Sequence, residues 1–465
     1  MLKVQGSSKR YEQALEVLHG ALEFGIHPSL DGITALAGRL GSPHNDYACI
    51  QVGGTNGKTS TARLIAALLT AHGHKTGLYT SPELVYYEER VEIDGAVIAR
   101  DDFATAVLDA HEAAEGLVAE GVVEAVTEFE LLTAAGLALF SRHGVRTAVL
   151  EVGLGGRWDA TSVVRPAVAV VSGIGLDHTA ILGDTLELVA REKAAIIRQG
   201  THAVLGPGTA DTRSVFLDRI HEVGAEARVV DEGSVGAPTA NEPHGSVRFV
   251  RDLCPDGFML DVETPLASYR QLDFSGPGYQ AANIATAIAA AEVALGGPLD
   301  HAATQQALAS VRTPGRFELL RDDPLLVIDA SHNPQSASVL ADELIRKYGT
   351  PVPAVLLLGI LADKDADGII DALTPLFSEI AVTCSQSPRA ISPDELAARV
   401  AQRAGISTAV YSSAALALKE LTQAGKPVIA TGSITIAGEV KRAFLSPPAS
   451  EAKRGSDAAG DVACG

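Results

Sequence analysis

One acid inside an apolar run constrains this chain more than any other feature. From Val145 to Thr161 it reads VRTAVLEVGLGGRWDAT; the run Thr147 to Val152 carries only Glu151 before it breaks into Gly153-Leu154-Gly155-Gly156. Short β-branched apolar runs read as buried parallel strands, and open α/β sheets bind ligands beyond the carboxyl ends of such strands. A carboxylate there is costly to bury unless it is paired or holds a metal. The glycines let backbone pass close to something bulky and anionic. Glu151 therefore reads as a metal ligand at a nucleotide site.

A second segment supplies the other half of such a site. Residues 47–52 (YACIQV) form another apolar run, followed by Gly53-Gly54-Thr55-Asn56-Gly57-Lys58-Thr59-Ser60 and the helical STARLIAALLTAHG. Strand, glycine loop, Lys-Thr and helix is an order that cradles phosphate, because backbone N–H groups and the helix N-terminus face the anion. Lys58 would reach the β/γ oxygens and Thr59 would lie near Mg²⁺. The spacing is one residue short of G-x-x-x-x-G-K, with Val52 in the place of the first glycine. A chance glycine turn is the competing reading, and the strand and helix on either side speak against it.

Composition narrows the class. A chain of 465 residues suffices for two or three domains, and 46% hydrophobic with 20% charged residues is ordinary for a soluble globular protein. With a net charge of −20 and no long basic run, nucleic acid and anionic membranes are poor partners. An acidic chain that binds polyphosphate must do so through local groups and Mg²⁺. Cys49, Cys254, Cys384 and Cys464 have no metal or disulfide spacing. Neither a signal peptide nor an apolar span of membrane length is visible, so the expected location is the cytoplasm.

Residues 8–40 read as helical with a His-Pro-Ser break. Strand and helix then alternate at 47–52, 58–71, 76–80, 101–118, 129–142, 145–152, 167–173 and 185–198, as in a mostly parallel sheet covered on both faces. Residues 201–275 read as a small antiparallel β layer, followed by helices at 278–296 and 301–310. A second alternating series opens at LLVIDAS (325–331) and closes at PVIATGS (427–433), with the boundary near Pro314. The expected domains are 1–312, an ATP-binding P-loop-type parallel-sheet domain; 313–445, a Rossmann-like α/β domain; and 446–465, a disordered tail.

Other residues join the site more weakly. In TLELVAREKAAIIRQG, Thr185 is a plausible N-cap and Lys193 falls on the apolar stripe of the helix. Snorkelling is the ordinary explanation of such a lysine. Here the helix follows a loop with Asp177-His178, so Glu151, His178 and Lys193 read together as a metal cluster, provided the lysine is made anionic. Ser81, after the strand TGLYT, could put a hydroxyl near the same crevice. Asp329 and His332, in IDASHNP, suit a ligand across a domain cleft, although Asn333-Pro334 is also ordinary helix-start chemistry. Arg316 could reach a phosphate or be a solvated linker arginine. His72, His74 and Trp158 carry no separate hypothesis.

Taken together, GGTNGKTS, YTSPEL, TEFELLTA, LEVGLGGRWDATS, GLDHTAILGDTLELVAREKAAI, TPGRFE, IDASHNP and ATGSITIAGEV resemble the folylpolyglutamate synthase/dihydrofolate synthase family of the Mur ligase superfamily. They span nearly the whole chain in the family's order, and EVGLGGRWDA with DHT…EKAAI is specific to the folate branch. The resemblance implies a ligase that adds L-glutamate to dihydropteroate or reduced folates, with ATP as co-substrate, two Mg²⁺ ions and a monomeric enzyme. It implies that Gly54, Thr55, Asn56, Gly57, Lys58, Thr59 and Ser60 hold phosphate, and that Asn283 meets adenine. Arg316, Asp329 and His332 would hold phosphate and ribose from the far side. Ser81 and Glu151 would bind one Mg²⁺; Glu151, His178 and a carbamylated Lys193 would bind the second. Thr127, Phe129, Asp159 and Ala160 would contact the pteroate. The chain departs from the family at Glu83 (SPEL for SPHL), Tyr279 (Tyr-Gln for His-Gln), Trp158 and Ser162 (GRWDATS for GRLDATN) and in DASHNP for DGAHNP.

Three alternatives stand beside this reading. A Mur-type cell-wall or cyanophycin-like ligase differs only in substrate, and GLGGRWDA speaks against it. A P-loop ATPase switch is opposed by the full second α/β series. A binding protein that has lost catalysis would be missing a metal-site position, and none is missing.

Overall fold

Cys49 to Gly53 and Thr147 to Glu151 are buried along their whole length, which the middle of a sheet covered on both faces requires. The computed structural model describes residues 8–22, 25, 28–234 and 245–445. Helices α1 (Lys9–Ala21) and α2 (Asp31–Arg39) lead into β1 (Ala48–Gly53), α3 (Lys58–Ala71), β2 (Thr76–Tyr79), β3 (Val91–Ile93), β4 (Ala96–Val97), α4 (Arg100–Ala119) and α5 (Glu128–Arg142). Next come β5 (Thr147–Glu151), β6 (Val168–Gly173), α6 (Thr179–Leu182), α7 (Leu186–Ala194), β7 (His202–Gly208), α8 (Arg213–Val223) and β8 (Glu226–Glu232). Strands β9 (Ser246–Cys254), β10 (Gly257–Glu263) and β11 (Ser268–Phe274) precede α9 (Gln280–Leu295) and α10 (His301–Ser310). The remainder is β12 (Glu318–Arg321), β13 (Leu326–Ile328), α11 (Pro334–Tyr348), β14 (Val352–Leu358), α12 (Ala366–Leu373), β15 (Phe377–Val382), α13 (Pro393–Ala404), β16 (Ala409–Val410), α14 (Ala414–Gln423), β17 (Val428–Thr431) and α15 (Ile434–Leu445).

The first sheet has eleven strands in the order β11-β10-β9-β8-β7-β6-β1-β5-β2-β3-β4. Every pairing from β9 to β2 is parallel; the β2-β3-β4 edge and the β9-β10-β11 edge are antiparallel. The second sheet, β12-β13-β17-β14-β15-β16, is parallel except for β12. This is the α/β class read from the sequence: a large parallel-rich sheet with an attached β layer, then a separate α/β sheet.

The reading of 201–275 as one antiparallel layer is corrected. β7, α8 and β8 continue the parallel sheet, and only β9 to β11 turn back. Phe216 and Ile220, one turn apart on α8, are buried, which marks a βαβ crossover. Gly206-Pro207 falls within β7 and breaks its strand pattern. The edge hairpin β3-β4 also escaped the reading, although Asp94 and Gly95 sit at its turn with φ +50° and +78°, the pattern of a tight hairpin. The tail expected to be disordered, 446–465, lies outside the described residues.

Helix α9 explains how the layers close. Ala281, Ala285, Ala287, Ala289, Ala290 and Ala291 are wholly buried, and these small side chains let α3 and strands β6 to β9 pack against the helix. No described helix is long and apolar enough to cross a membrane.

Candidate nucleotide and ligation site

Strand β1 lies between β5 and β6, and the loops leaving all three strands converge beyond their carboxyl ends, at the point where the strand order changes direction. Gly54 holds φ +143° and Gly57 +83°; a Cβ would lie 2.2 Å from Ser172 Oγ at the first and 2.7 Å from Asn283 Oδ1 at the second. Only glycine closes this loop. Thr55 N donates to Gly173 O (2.7 Å), Thr55 Oγ1 to Gly175 O (3.0 Å) and Ser172 Oγ to Asn56 O (2.8 Å), tying the loop to β6. Gly57 begins α3 without a side-chain cap, so the first-turn N–H groups lack a capping acceptor, as suits an anion site.

Glu151 is 1% exposed; its oxygens accept from Thr59 Oγ1 (2.8 Å) and Ser81 N (3.2 Å). Burial pushes the carboxyl up, while Lys58 and these donors oppose the shift. Ser81 Oγ is buried beside it with no hydrogen-bond partner. Lys58 Nζ donates to Thr55 O (3.1 Å); burial lowers its pKa, against Glu151 and Asp177, which favour the charged form.

Lys193, on α7, is 5% exposed and donates to Gly54 O (2.8 Å). Burial pushes its pKa down to about 7, with the charge of Lys58 acting the same way. His178 stands half-exposed with φ +51°, its Nε2 3.8 Å from Asp177 Oδ2. Burial pushes its pKa down to about 4, so the imidazole is neutral at pH 7. It makes no hydrogen bond or ion pair with Glu151 or Lys193. Among the described residues, no three His, Cys, Asp or Glu side chains converge as a metal site by themselves.

Contacts from the second sheet close the cleft. Asp177 pairs with Lys364 Nζ, and His332 Nε2 lies 3.3 Å from its other oxygen. Burial works against ionisation, yet His332 and Lys364 hold the Asp177 carboxyl far below the usual carboxylate range. Asn56 Nδ2 donates to Gln335 Oε1 (2.7 Å), and Asn333 Nδ2 donates to Asn56 Oδ1 (3.1 Å). Asp329 is 3% exposed and accepts from Phe317 N (2.7 Å), Ser331 N (2.8 Å) and Ser331 Oγ (2.5 Å). It thereby fixes the turn that carries Arg316. Asn283, on α9, accepts from Thr61 Oγ1 (3.3 Å) and donates to Gln280 (2.8 Å).

At the other end, Thr127 caps α5 in a reciprocal box with Glu130. The Phe129 ring covers Gly153, where a Cβ would lie 2.6 Å from Cζ. Asp159 accepts from Leu154 N (2.8 Å) and Thr161 N (3.0 Å), and Ala160 is buried. All the residues singled out from the sequence as site candidates line one cavity of about 1070 Å³. Lys364, Gln335 and Arg90 line it too, and sequence reasoning passed over them. Lys364 sits in LADKDAD, where a lysine among aspartates reads as a solvated face; only the tertiary fold turns it inward.

Residues 52–213 match the model of the Mur ligase middle domain, and 315–434 that of the Mur ligase glutamate ligase domain. The dihydrofolate synthase/folylpolyglutamate synthase of Mycobacterium tuberculosis is 34% identical, with 91% of each chain covered. The folylpolyglutamate synthase of Lacticaseibacillus casei is 34% identical over 89% of this chain and 94% of its own. Among solved structures, M. tuberculosis folylpolyglutamate synthase complexed with ADP superposes with a TM-score of 0.86 at 33% identity, over 94% of this chain and 99% of the other. E. coli FolC in complex with DHPP and ADP gives 0.79 at 28% identity, over 94% and 97%.

Proposed function

This chain belongs to the folylpolyglutamate synthase/dihydrofolate synthase family of Mur ligases, and from that premise we propose that it joins L-glutamate to dihydropteroate and to reduced folates at the cost of ATP. It is an ATP-dependent, amide-bond-forming ligase. On this reading 1–312 binds ATP, 313–445 presents glutamate, and a single copy works on small molecules in the cytoplasm. That relatives carry both synthase names supports the two activities together.

The chemistry follows from the groups gathered. A carboxylate is a poor electrophile, so one of its oxygens first attacks the γ-phosphorus of ATP and ADP leaves. The glutamate amine then attacks the acyl carbon, loses a proton and expels inorganic phosphate. Lys58 and the uncapped start of α3 neutralise charge on the transferring phosphoryl group. The contacts of Asp177 and Asn56 with the second sheet keep water from the acyl phosphate. Asn283, Arg316, Asp329 and His332 serve the nucleotide, Asp329 by holding the turn of Arg316. Thr127, Phe129 and Ala160 wall the pteroate pocket, with Asp159 fixing its loop.

The donor set fits Mg²⁺. Glu151, Thr59 and the unpartnered Ser81 hydroxyl are hard oxygens within one buried corner. Bound there, Mg²⁺ supplies further charge neutralisation for phosphoryl transfer. A second ion would take Glu151, His178 and a carbamylated Lys193, whose neutral amine adds to CO₂ and releases a proton.

The observation that carries the reading is Glu151, held by Thr59 and Ser81 beside Lys58 at the mouth of an uncapped helix. Phosphate release decides it: a ligase releases inorganic phosphate in step with product only when the pteroate acid and L-glutamate are both present. ADP formation indifferent to both would replace it with an ATPase.

A further inference from the structure

Glycine inside a helix costs stability relative to alanine, so one kept there needs a reason. Gly438 lies in the middle of α15 and is buried, and a Cβ there would overlap the Leu84 carbonyl oxygen. At Gly315, on the turn that leads into the second domain, a Cβ would lie 3.1 Å from Leu84 Cδ1. Two glycines of the second domain thus make room for one residue of the first. Leu84 packs against the core between β13, β17 and α15, beside Ile436, Ala437 and Val440. Arg442, one turn beyond Gly438, donates to Val85 O (2.6 Å), and its guanidinium stands 5.9 Å from the centroid of the Tyr86 ring.

Leu84 belongs to the segment that joins β2 to β3, and three residues before it Ser81 brings its buried, unpartnered hydroxyl to the phosphoryl-transfer corner. The rest of the segment is anchored in the first domain. Glu89 accepts from Leu84 N (3.1 Å) and Val85 N (3.0 Å), and Glu88 accepts from Arg100 Nε (2.6 Å) and the Tyr11 hydroxyl (2.5 Å). Arg100 also stands 4.7 Å from the Tyr86 ring centroid. With no slack between these grips, a shift of α15 is carried toward Ser81 rather than absorbed. Ile434, one turn before Gly438 on the same face of α15, lines the cavity together with Ser433. One helix therefore touches both the ligand cavity and the segment that carries Ser81.

We infer that α15 positions the Ser81 hydroxyl: through Gly438 and Arg442 the second domain holds Leu84 and Val85, and the Mg²⁺ corner is complete only while that contact is made. Gly438 and Arg442 are positioning residues, since neither touches the reacting atoms. The inference rests on the reading of Ser81 as a Mg²⁺ ligand.

The test is a double-mutant cycle read by binding of the ATP analogue AMPPCP with and without Mg²⁺, which needs no turnover. Ser81→Ala is expected to remove most of the strengthening that Mg²⁺ gives. Gly438→Ala should weaken the Mg²⁺-dependent affinity about tenfold, the result of overpacking a filled contact. Arg442→Ala should weaken it about threefold, the loss of one hydrogen bond. Added to Ser81→Ala, neither should cost anything further, because the group they position is gone. Affinity without Mg²⁺ should match the wild type in every variant, which a folding defect would not allow. Wild-type Mg²⁺ dependence in Gly438→Ala and Arg442→Ala, or an equal loss with and without Mg²⁺, would overturn the positioning role. Losses undiminished in the Ser81→Ala background would overturn it as well. Ser81→Ala with wild-type Mg²⁺ dependence would remove Ser81 from the metal and take the inference with it. Product formation by the wild type from dihydropteroate and L-glutamate tests the ligase reading separately.

Discussion

Lys58 and Glu151 occupy one buried corner, and each favours the other's charged form against burial. Lys58→Ala removes the cation that meets the phosphoryl group, and the barrier should rise by about 3 kcal/mol or more. Initial rates on the folded variant check this; retention of more than about a tenth of wild-type turnover would remove Lys58 from the reaction. Lys193 gives a pH signature. Its folded pKa, about 7, lies below the ordinary lysine value, so the folded state holds fewer protons than the unfolded chain between the two. The burial cost is therefore present below about pH 7 and is relieved as pH rises toward about 10.4. The neutral amine that CO₂ requires gains population over the same rise. Carbon-13 NMR with labelled bicarbonate should show a carbamate signal that grows between about pH 6 and about pH 8, disappears in Lys193→Ala, and accompanies partial rescue of that variant by formate. An unlabelled Lys193 at the upper pH would refute it. These residues were legible because each broke a local rule: an acid in an apolar strand, a lysine on an apolar stripe. Asp177 and Lys364 broke none, since each reads as a loop charge until the second sheet brings them together.

At the scale of elements, the loop from β1 into α3 is specified by backbone geometry. Gly57→Ala puts a Cβ at φ +83° and 2.7 Å from Asn283 Oδ1. The left-handed strain alone should cost about 1–2 kcal/mol, and displaced Asn283 should weaken nucleotide binding. Denaturant melts and a nucleotide titration on the variant measure the two effects; unchanged values in both would show that the loop tolerates a side chain. This loop was readable from sequence because glycine, lysine and an apolar helix fall in one short window. The β7-α8-β8 crossover was not, because Gly206-Pro207 interrupts the strand pattern of β7 and Arg228 stands among the buried positions of β8. The sheet continues there through pairing with β6, a contact between segments that local sequence does not announce. β3-β4 was missed for a simpler reason: at three and two residues it is too short for any period to register.

For the whole molecule, two alternating series were visible in the sequence, but the cleft between them was not. It is made by Asp177 with Lys364 and His332, and by Asn56 with Asn333 and Gln335. Lys364→Met takes from the largely buried Asp177 its lysine and leaves His332 and His178 beside it, and breaking a buried pair costs about 3–5 kcal/mol when one charge is stranded. The expected outcome is a looser closure with leakage: phosphate released should exceed amide formed, as water reaches the acyl phosphate. A ratio that stays at one to one would show that this contact does not guard the site. The central claim, that a substrate carboxylate is activated by phosphoryl transfer in that cleft, is tested most directly by labelling both carboxylate oxygens of dihydropteroate with oxygen-18. With ATP and L-glutamate present, the account predicts inorganic phosphate carrying one labelled oxygen for every amide formed. Unlabelled phosphate released in step with amide would contradict it.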